Sequence, residues 1–472
     1  FHSIAAIFQW LTNLQVHQTL LIFGQIINSL SIFSVYLFTN FLTKNRFAAI
    51  IAALITGVIT PMPAYYTSWG RYTQLAGLII FPAAFYLLMN RWNQEWGSAE
   101  LYRDKLLRKP VIVTFITASI LLGGLYLVHY RVTAFLFTLI SAVLIVRAAS
   151  VIARRQERAL VENISDLLIV GACSLVITLP WWPESLTNLI IPRISPATGS
   201  AQPFSDFSWF LLTAALGSWA LIAAGIGVFI GIWQRKSYIL SIVLWILILF
   251  VFANLEALSL PGGGMINNTS VAIMLFFPIS MLAGSGVAWV VELVRSWIEP
   301  PWRYALITSF WIIALIVMVL GAQSIIPIIN PITILFREAD LPAMDWIAEN
   351  IPQDKIIAIN PFNWGYGMYA GNDGGYWLSP LAGRISLPPP VLYGLNPEIG
   401  ASIVQTSSQI YAKSGDVGDL HSYLLENGIE YIYIGARGGI FSPRDMQASP
   451  LYHEIYNHKG TWVFQLVSSD AS

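Results

Sequence analysis

Residues 111–147 read VIVTFITASILLGGLYLVHYRVTAFLFTLISAVLIVR. Two apolar blocks, 111–128 and 132–147, flank the polar residues His129, Tyr130 and Arg131. A bilayer core about 30 Å thick needs roughly 20 apolar residues at helical rise. Each block is therefore read as a membrane span, and the three polar residues as a turn at one membrane surface. Working outward, the same ruler predicts eight further spans at 18–42, 46–61, 75–90, 165–180, 208–232, 237–258, 271–294 and 305–329. Composition agrees: of 472 residues, 56% are hydrophobic and only 11% charged, whereas a soluble chain carries about 25% charge. The expected fold class is a polytopic α-helical membrane protein of about ten transmembrane helices with a C-terminal extracytoplasmic α/β domain.

Orientation follows from Lys and Arg, which collect on cytoplasmic loops. The loops holding Lys44 and Arg46, Arg91 to Lys109, Arg147 to Arg158, Arg235 with Lys236, and Arg295 with Arg303 carry 15 of the 18 basic residues before position 330. The alternate loops carry Arg71, Arg131 and Arg193. The His129–Arg131 turn is thus expected to face outward from the cell membrane, as is everything after residue 329. Residues 330–472 hold 14 acidic and 7 basic residues, against 11 and 18 in 1–329. The formal charge of zero is a cancellation between a basic membrane body and an acidic tail. It leaves no basic excess to release counterions from a nucleic acid. Cys173 is the single cysteine, which excludes a disulfide framework or a cysteine metal cluster.

Three regions follow. In residues 1–17, Phe1, Ile4, Phe8, Leu11 and Leu14 have helical spacing, which suits an interfacial helix left from a first outer loop or a remnant of a spanning helix. An even number of spans puts both ends outside, and residue 1 is Phe, so the chain is expected to lack at least one upstream span. Residues 18–329 form the membrane domain. Its second and third spans are short and flank Pro61, Pro63 and Tyr65–Gln74, where a bent or re-entrant hairpin is expected. Pro82 and Pro278 should kink their helices. Residues 330–472 read as a small α/β domain: a helix over 341–351 opened by Asp340, a strand over 355–359, a helix over 416–426 closed by Gly428, a strand over 430–434, and a hairpin of 452–456 with 461–467. Residues 360–384, NPFNWGYGMYAGNDGGYWLSPLAGR, are expected to form an irregular surface loop. Its Trp364 and Tyr366, with Tyr369, Tyr376 and Trp377, would offer aromatic faces to sugar rings or pack inward.

The middles of the spans are almost free of ionisable residues, which leaves no track for an ion or proton. Polar chemistry gathers at the outer mouth. Arg71, Tyr72, His129 and Arg131 are candidate substrate-binding residues, because a guanidinium can grip a phosphate or diphosphate through two hydrogen bonds. Snorkelling to lipid head groups, or pairing with Glu184 or Glu256, would equally account for the arginines. Glu184 and Glu256 are candidate general bases, or simply loop acids paired with an arginine. Trp181 and Trp182 suit an aromatic belt. Asn267-Asn268-Thr269 matches a glycosylation acceptor pattern. A nucleotide-binding glycine loop, a metal-spaced histidine set and a nucleophile elbow are all missing from the sequence.

With FHSIAAIF at 1–8, YYTSWGRYTQLAGLIIFPAAF at 65–85, LVHYR at 127–131 and DWIAENIP at 345–352, this organisation resembles the GT-C superfamily of membrane glycosyltransferases. The resemblance implies a polyprenyl-phosphate-linked sugar donor, transfer to a glycan or protein acceptor at the outer face, and a principal acid in the first outer loop. That loop would lie mostly upstream of Phe1. A divalent metal would fit such chemistry, although no ligand set is visible. Asn363 to Gly367 do not reproduce the tryptophan-rich signature of oligosaccharyltransferase catalytic subunits, which speaks against that branch. Two rival classes are a lipid-linked glycan transporter or flippase, which should show a polar track through several spans, and a non-catalytic membrane scaffold with a binding ectodomain.

Overall fold

The computed structural model describes residues 1–92, 108–153, 157–187, 207–260, 266–328, 333–365 and 367–468. The chain divides into two compact units, Phe1–Ile329 and Asn330–Ser472. In the first unit, α1 (His2–Thr12) precedes α2 (Val16–Thr43), α3 (Arg46–Val58), α4 (Ala64–Ser68), α5 (Tyr72–Trp92), α6 (Lys109–Val128), α7 (Tyr130–Ala153) and α8 (Glu157–Thr178). There follow α9 (Trp182–Ser185), α10 (Phe210–Thr213), α11 (Gly217–Trp233), α12 (Ser237–Ala253), α13 (Asn268–Met274), α14 (Phe276–Trp297) and α15 (Pro300–Ile325). Seven of the helical segments are long and apolar enough to cross a membrane, with α13 and α14 counted as one, and α3, α11 and α12 are shorter apolar helices. The seven fall on seven of the ten spans read from the sequence, and the three shorter helices fall on the other three, where the expected span 208–232 is broken between α10 and α11.

The short second and third spans are joined by a bend, not by a flexible loop. Asn45 caps the start of α3 by accepting from the Phe47 and Ala48 amides, and beyond α3 the chain turns through Thr60 and Met62, both buried. Pro82 lies inside a continuous α5. Pro278 has a stronger effect: the helix is interrupted at Leu275, because proline offers no amide to the Met274 carbonyl one turn earlier.

Helix α14 is the hub and packs against α3 on one side and α11 on the other. Small residues make this approach close. A Cβ on Gly284 would stand 2.5 Å from the Ala48 carbonyl oxygen, and one on Gly286 would stand 2.6 Å from that of Ala223. Without a hydrophobic drive between helices in lipid, such backbone proximity supplies much of the association. Gly284→Val is therefore expected to lower stability by about 1–3 kcal/mol, read as a lower thermal midpoint of the detergent-solubilised full-length protein. An unchanged midpoint would show that α3 and α14 can separate without cost.

The second unit is built on a five-stranded sheet in the order β4-β1-β5-β7-β6. Strands β1 (Ile356–Ala358), β4 (Ile385–Leu387) and β5 (Tyr431–Ile434) run parallel, while β6 (Tyr452–His458) and β7 (Thr461–Leu466) extend the sheet antiparallel. Period-two alternation splits the core into two layers. Ile357, Tyr431, Tyr433 and Val463 pack with Ala343, Met344 and Ile347 of α16 (Leu341–Asn350). Ala358, Ile432, Ile434 and Phe464 pack with Ile410 of α18 (Pro397–Lys413) and Leu420 and Leu424 of α19 (Val417–Glu426).

Two expectations change here. Residues 360–384 are not an irregular loop: β2 (Pro361–Gly365) pairs with β3 (Met368–Gly371), and a 3-10 turn leads into α17 (Leu378–Ala382). The aromatics explain this order, because Trp377 packs on Phe336, Tyr369 on Tyr411, and the Tyr376 hydroxyl accepts from the Val391 amide. Asp340 does not cap α16 with its side chain. It is buried, and its carboxylate accepts from the Tyr433 hydroxyl at 2.6 Å and from the Ala436 and Arg337 amides at 2.9 and 2.7 Å.

Candidate functional site

The α4–α5 turn positions Arg71. Gly70 adopts φ +64, a left-handed conformation that glycine takes without steric cost, and the Arg71 amide donates to the Tyr66 carbonyl at 2.8 Å. Tyr66 is itself buried, with its hydroxyl donating to the Ile273 carbonyl at 3.1 Å. Burial pushes the Tyr66 phenol above its ordinary range, and the Arg71 charge opposes that rise. The Arg71 guanidinium lies 5.3 Å from the Trp69 ring centre.

The α6–α7 turn positions His129 and Arg131. The extended backbone of His129 separates the two helices, and its carbonyl accepts from the Val132 amide in the first turn of α7. His129 stacks on Tyr130 with rings 5.7 Å apart and nearly parallel, while the Arg131 guanidinium sits 5.5 Å from the Tyr130 ring centre. Burial, then Arg131, then Arg71 lower the His129 pKa to about 4. Both guanidiniums therefore lie within electrostatic reach of one imidazole. The structure brings Arg71 of one turn toward His129 and Arg131, which the sequence had left in another.

The face of α5 that follows Arg71 turns toward this cluster. Gln74 is only 1% exposed, and a Cβ on Gly77, one helical turn beyond it, would stand 3.1 Å from Val132 of α7. Gln74 Nε2, His129 Nδ1, Thr133 Oγ1 and the Tyr126 hydroxyl are buried without a hydrogen-bond partner among the described residues. Buried polar groups are nearly always partnered in a native protein, so these four are open to a polar ligand. Tyr126 and Thr133 escaped the sequence reading, although they sit one helical turn on either side of His129.

The other candidates are placed less closely. Tyr72 is largely a packing residue: it stacks on Phe1 at 5.4 Å, leaves no room for a Cβ on Gly24, and donates its hydroxyl to the Thr67 carbonyl at 3.4 Å. Glu184 is exposed on α9. Its neighbour Trp182 stacks on Tyr126 at 5.4 Å and donates to Thr178 at 3.1 Å. Glu256 lies in the half-buried turn after α12, beside the Asn254–Asn268 amide pair. Neither acid forms an ion pair among the described residues. Asn267 of the acceptor pattern caps α13, its side chain accepting from the Ser270 amide. In the second unit Trp364 is 51% exposed and packs edge-on against Phe362, while Tyr366 lies outside the described residues. Among the described residues no three His, Cys, Asp or Glu side chains gather as a metal site.

The neutral histidine has a consequence. Its folded pKa is below the unfolded value of about 6.5, so its proton is bound more weakly in the fold and stability falls as pH drops from about 6.5 toward 4. Between pH 5 and 8 the ring does not titrate. Binding of a phosphate-bearing lipid should then show the same pH profile over that window in the wild type and in His129→Gln. A wild-type step near pH 6.5 that the variant lacks would contradict the neutral ring.

No sequence family and no curated protein sequence matches this chain. Solved structures do. The Archaeoglobus fulgidus oligosaccharyltransferase tethered to an acceptor peptide superposes with a TM-score of 0.52 at 14% identity over 91% of this chain, which spans 60% of that protein's length. The same coverage and TM-score are found for Archaeoglobus fulgidus AglB in complex with an inhibitory peptide and a dolichol-phosphate, at 15% identity. ArnT from Cupriavidus metallidurans bound to undecaprenyl phosphate matches over 99% of this chain and 87% of its own length, with TM-score 0.52 and 12% identity. The chain therefore shares its fold with these solved membrane proteins. Within this fold, Arg71, His129 and Arg131 occupy helix ends joined by short turns, where the backbone is held on both sides by a helix.

Proposed function

We propose that the protein is a glycosyltransferase that moves a sugar from a polyprenyl-phosphate-linked donor to an acceptor at the outer membrane face, with Arg71, Arg131 and His129 holding the lipid phosphate. The observation that carries this reading is the convergence of two guanidiniums on one neutral imidazole among unpartnered polar groups. Two proteins of the same fold were solved with polyprenyl phosphates, a dolichol-phosphate in one and undecaprenyl phosphate in the other. In the reaction, an acceptor heteroatom attacks the sugar's anomeric carbon as the bond from that carbon to the lipid phosphate breaks. The guanidiniums offset the charge that develops on the departing phosphate. Glu184 is the first candidate to take the acceptor's proton, because α9 is tied to the cluster through Trp182 and Tyr126, and Glu256 is the second. The half-exposed Trp364 offers an aromatic face for a sugar ring.

The test uses the full-length protein in nanodiscs with polyprenyl phosphates carrying labelled sugars. Transfer of label to an acceptor, with release of the lipid phosphate, is the expected result. Movement of intact lipid-linked sugar across the bilayer, with no cleavage for any donor, would instead establish a flippase.

A further inference from the structure

At the opposite end of the helix bundle from Arg71 and His129, a cavity of about 510 Å³ opens between the α2–α3 turn, the start of α12 and the middle of α14. Its rim carries Lys44, Arg46 and Lys236, all exposed. No carboxylate lines it, and none of the three cations forms an ion pair among the described residues. The floor is buried. Ser285, only 2% exposed, lies there with its hydroxyl in polar contact with the Tyr238 hydroxyl. Trp289 forms part of the wall.

Backbone electrostatics reinforce the side chains. Helices α3 and α12 both begin at the cavity, so two positive dipole ends point into it. Asn45 spends its carbonyl oxygen on the Phe47 and Ala48 amides, which leaves its amide nitrogen as a further donor. The first turn of α12 has no side-chain cap. A general excess of cations on one membrane face would put Lys and Arg on the loops, but it does not require them to rim a hollow of this size that no carboxylate lines and that has a buried hydroxyl at its floor. Donors and positive charge without acid are the requirements of a phosphate oxyanion, and basic pockets between helices at a cytoplasmic face suit anionic head groups.

We propose that this cavity is a second anion site, which binds the phosphate group of an anionic phospholipid head group or of a free phosphate. It is separate from the lipid-phosphate cluster at the other end and does not depend on the reaction assigned to that end.

Full-length protein is purified in nanodiscs of phosphatidylglycerol with phosphatidylcholine, extracted, and the retained lipid counted by native mass spectrometry. A parallel arm titrates inorganic phosphate and follows ³¹P line broadening. The variant Lys44→Asn/Arg46→Gln/Lys236→Gln alters only exposed side chains, and Asn tolerates the left-handed backbone at position 44. Ser285→Ala removes the floor hydroxyl with little change in volume. Retention of phosphatidylglycerol over phosphatidylcholine, lowered on the order of 10-fold or more in the triple variant and to a lesser degree in Ser285→Ala, identifies a lipid head group. Broadening by inorganic phosphate that the triple variant abolishes identifies a free phosphate. The thermal midpoint of each variant confirms its fold. Equal lipid retention and equal phosphate response in wild type and folded variants would overturn the site.

Discussion

Replacing Arg71 or Arg131 with Ala is expected to lower lipid-linked sugar transfer by about 10²–10³-fold, the cost typical of removing one donor from a developing oxyanion. The loss should fall on kcat more than on KM, because the charge on the departing phosphate grows as the glycosidic bond breaks. Arg71→Lys and Arg131→Lys keep the charge but lose the planar fork, so they should recover only part of the rate. A second readout separates this role from simple lipid anchoring. Each guanidinium contributes to lowering the His129 pKa, so removing either one should move that pKa up toward its ordinary value. The acid step that His129 gives near pH 4 in the wild type should then move upward in the Ala variants, part of the way only, because burial, the largest cause, remains. Unchanged turnover in the double variant would take both residues out of the mechanism.

Asp340→Ala is expected to cost the second unit about 3–5 kcal/mol, a large fraction of the roughly 5–15 kcal/mol that a domain commonly has. The carboxylate is fully buried and accepts from the Tyr433 hydroxyl and the Ala436 and Arg337 amides. Truncation leaves the buried Tyr433 hydroxyl without its acceptor, at about 1–3 kcal/mol, and deprives the part-buried Ala436 and Arg337 amides of theirs. Nearby, Asp373 accepts from Asn360 and from the Gly375 and Gly435 amides. Burial raises its pKa to about 6, and the Asp340 charge adds to that rise. The two acids are close enough that a Cβ on Gly374 would meet the Asp340 carboxylate at 2.7 Å. Hydrogen exchange of the full-length protein reads the result: protection of Ile432, Tyr433 and Ile434 should fall sharply in Asp340→Ala. Wild-type protection there would mean that the amides find another acceptor.

The membrane helices were legible because lipid offers no hydrogen bonds, so a span must be a helix and must be apolar along its length. The hairpin of β6 and β7 was legible from the turn around Lys459 and Gly460, both in the left-handed region. Helix α18 was not read in advance, although Asn396 and Pro397 give a sound start, because Gly400 and its Ser, Thr and β-branched residues carry a weak helical pattern. Residues 360–384 misled for a different reason. Their glycines and aromatics have loop composition, but Phe336, Val391 and Tyr411, distant in sequence, supply the partners that order them.

The sequence by itself determined the number and place of the spans, the division at residue 329 and the residue types available at each turn, since these depend on local length, polarity and charge. Tertiary structure decided which turns meet. Arg71 and Arg131 are sixty residues apart in the chain, and only the packing of α5 against α6 and α7 puts both beside His129. The same is true of Asp340, whose local setting reads as a helix cap and whose partners come from β5 and the turn after it. Helix periodicity can be read from neighbours along the chain, whereas a field that two charges share at one imidazole or a buried acceptor exists only once distant segments are in contact.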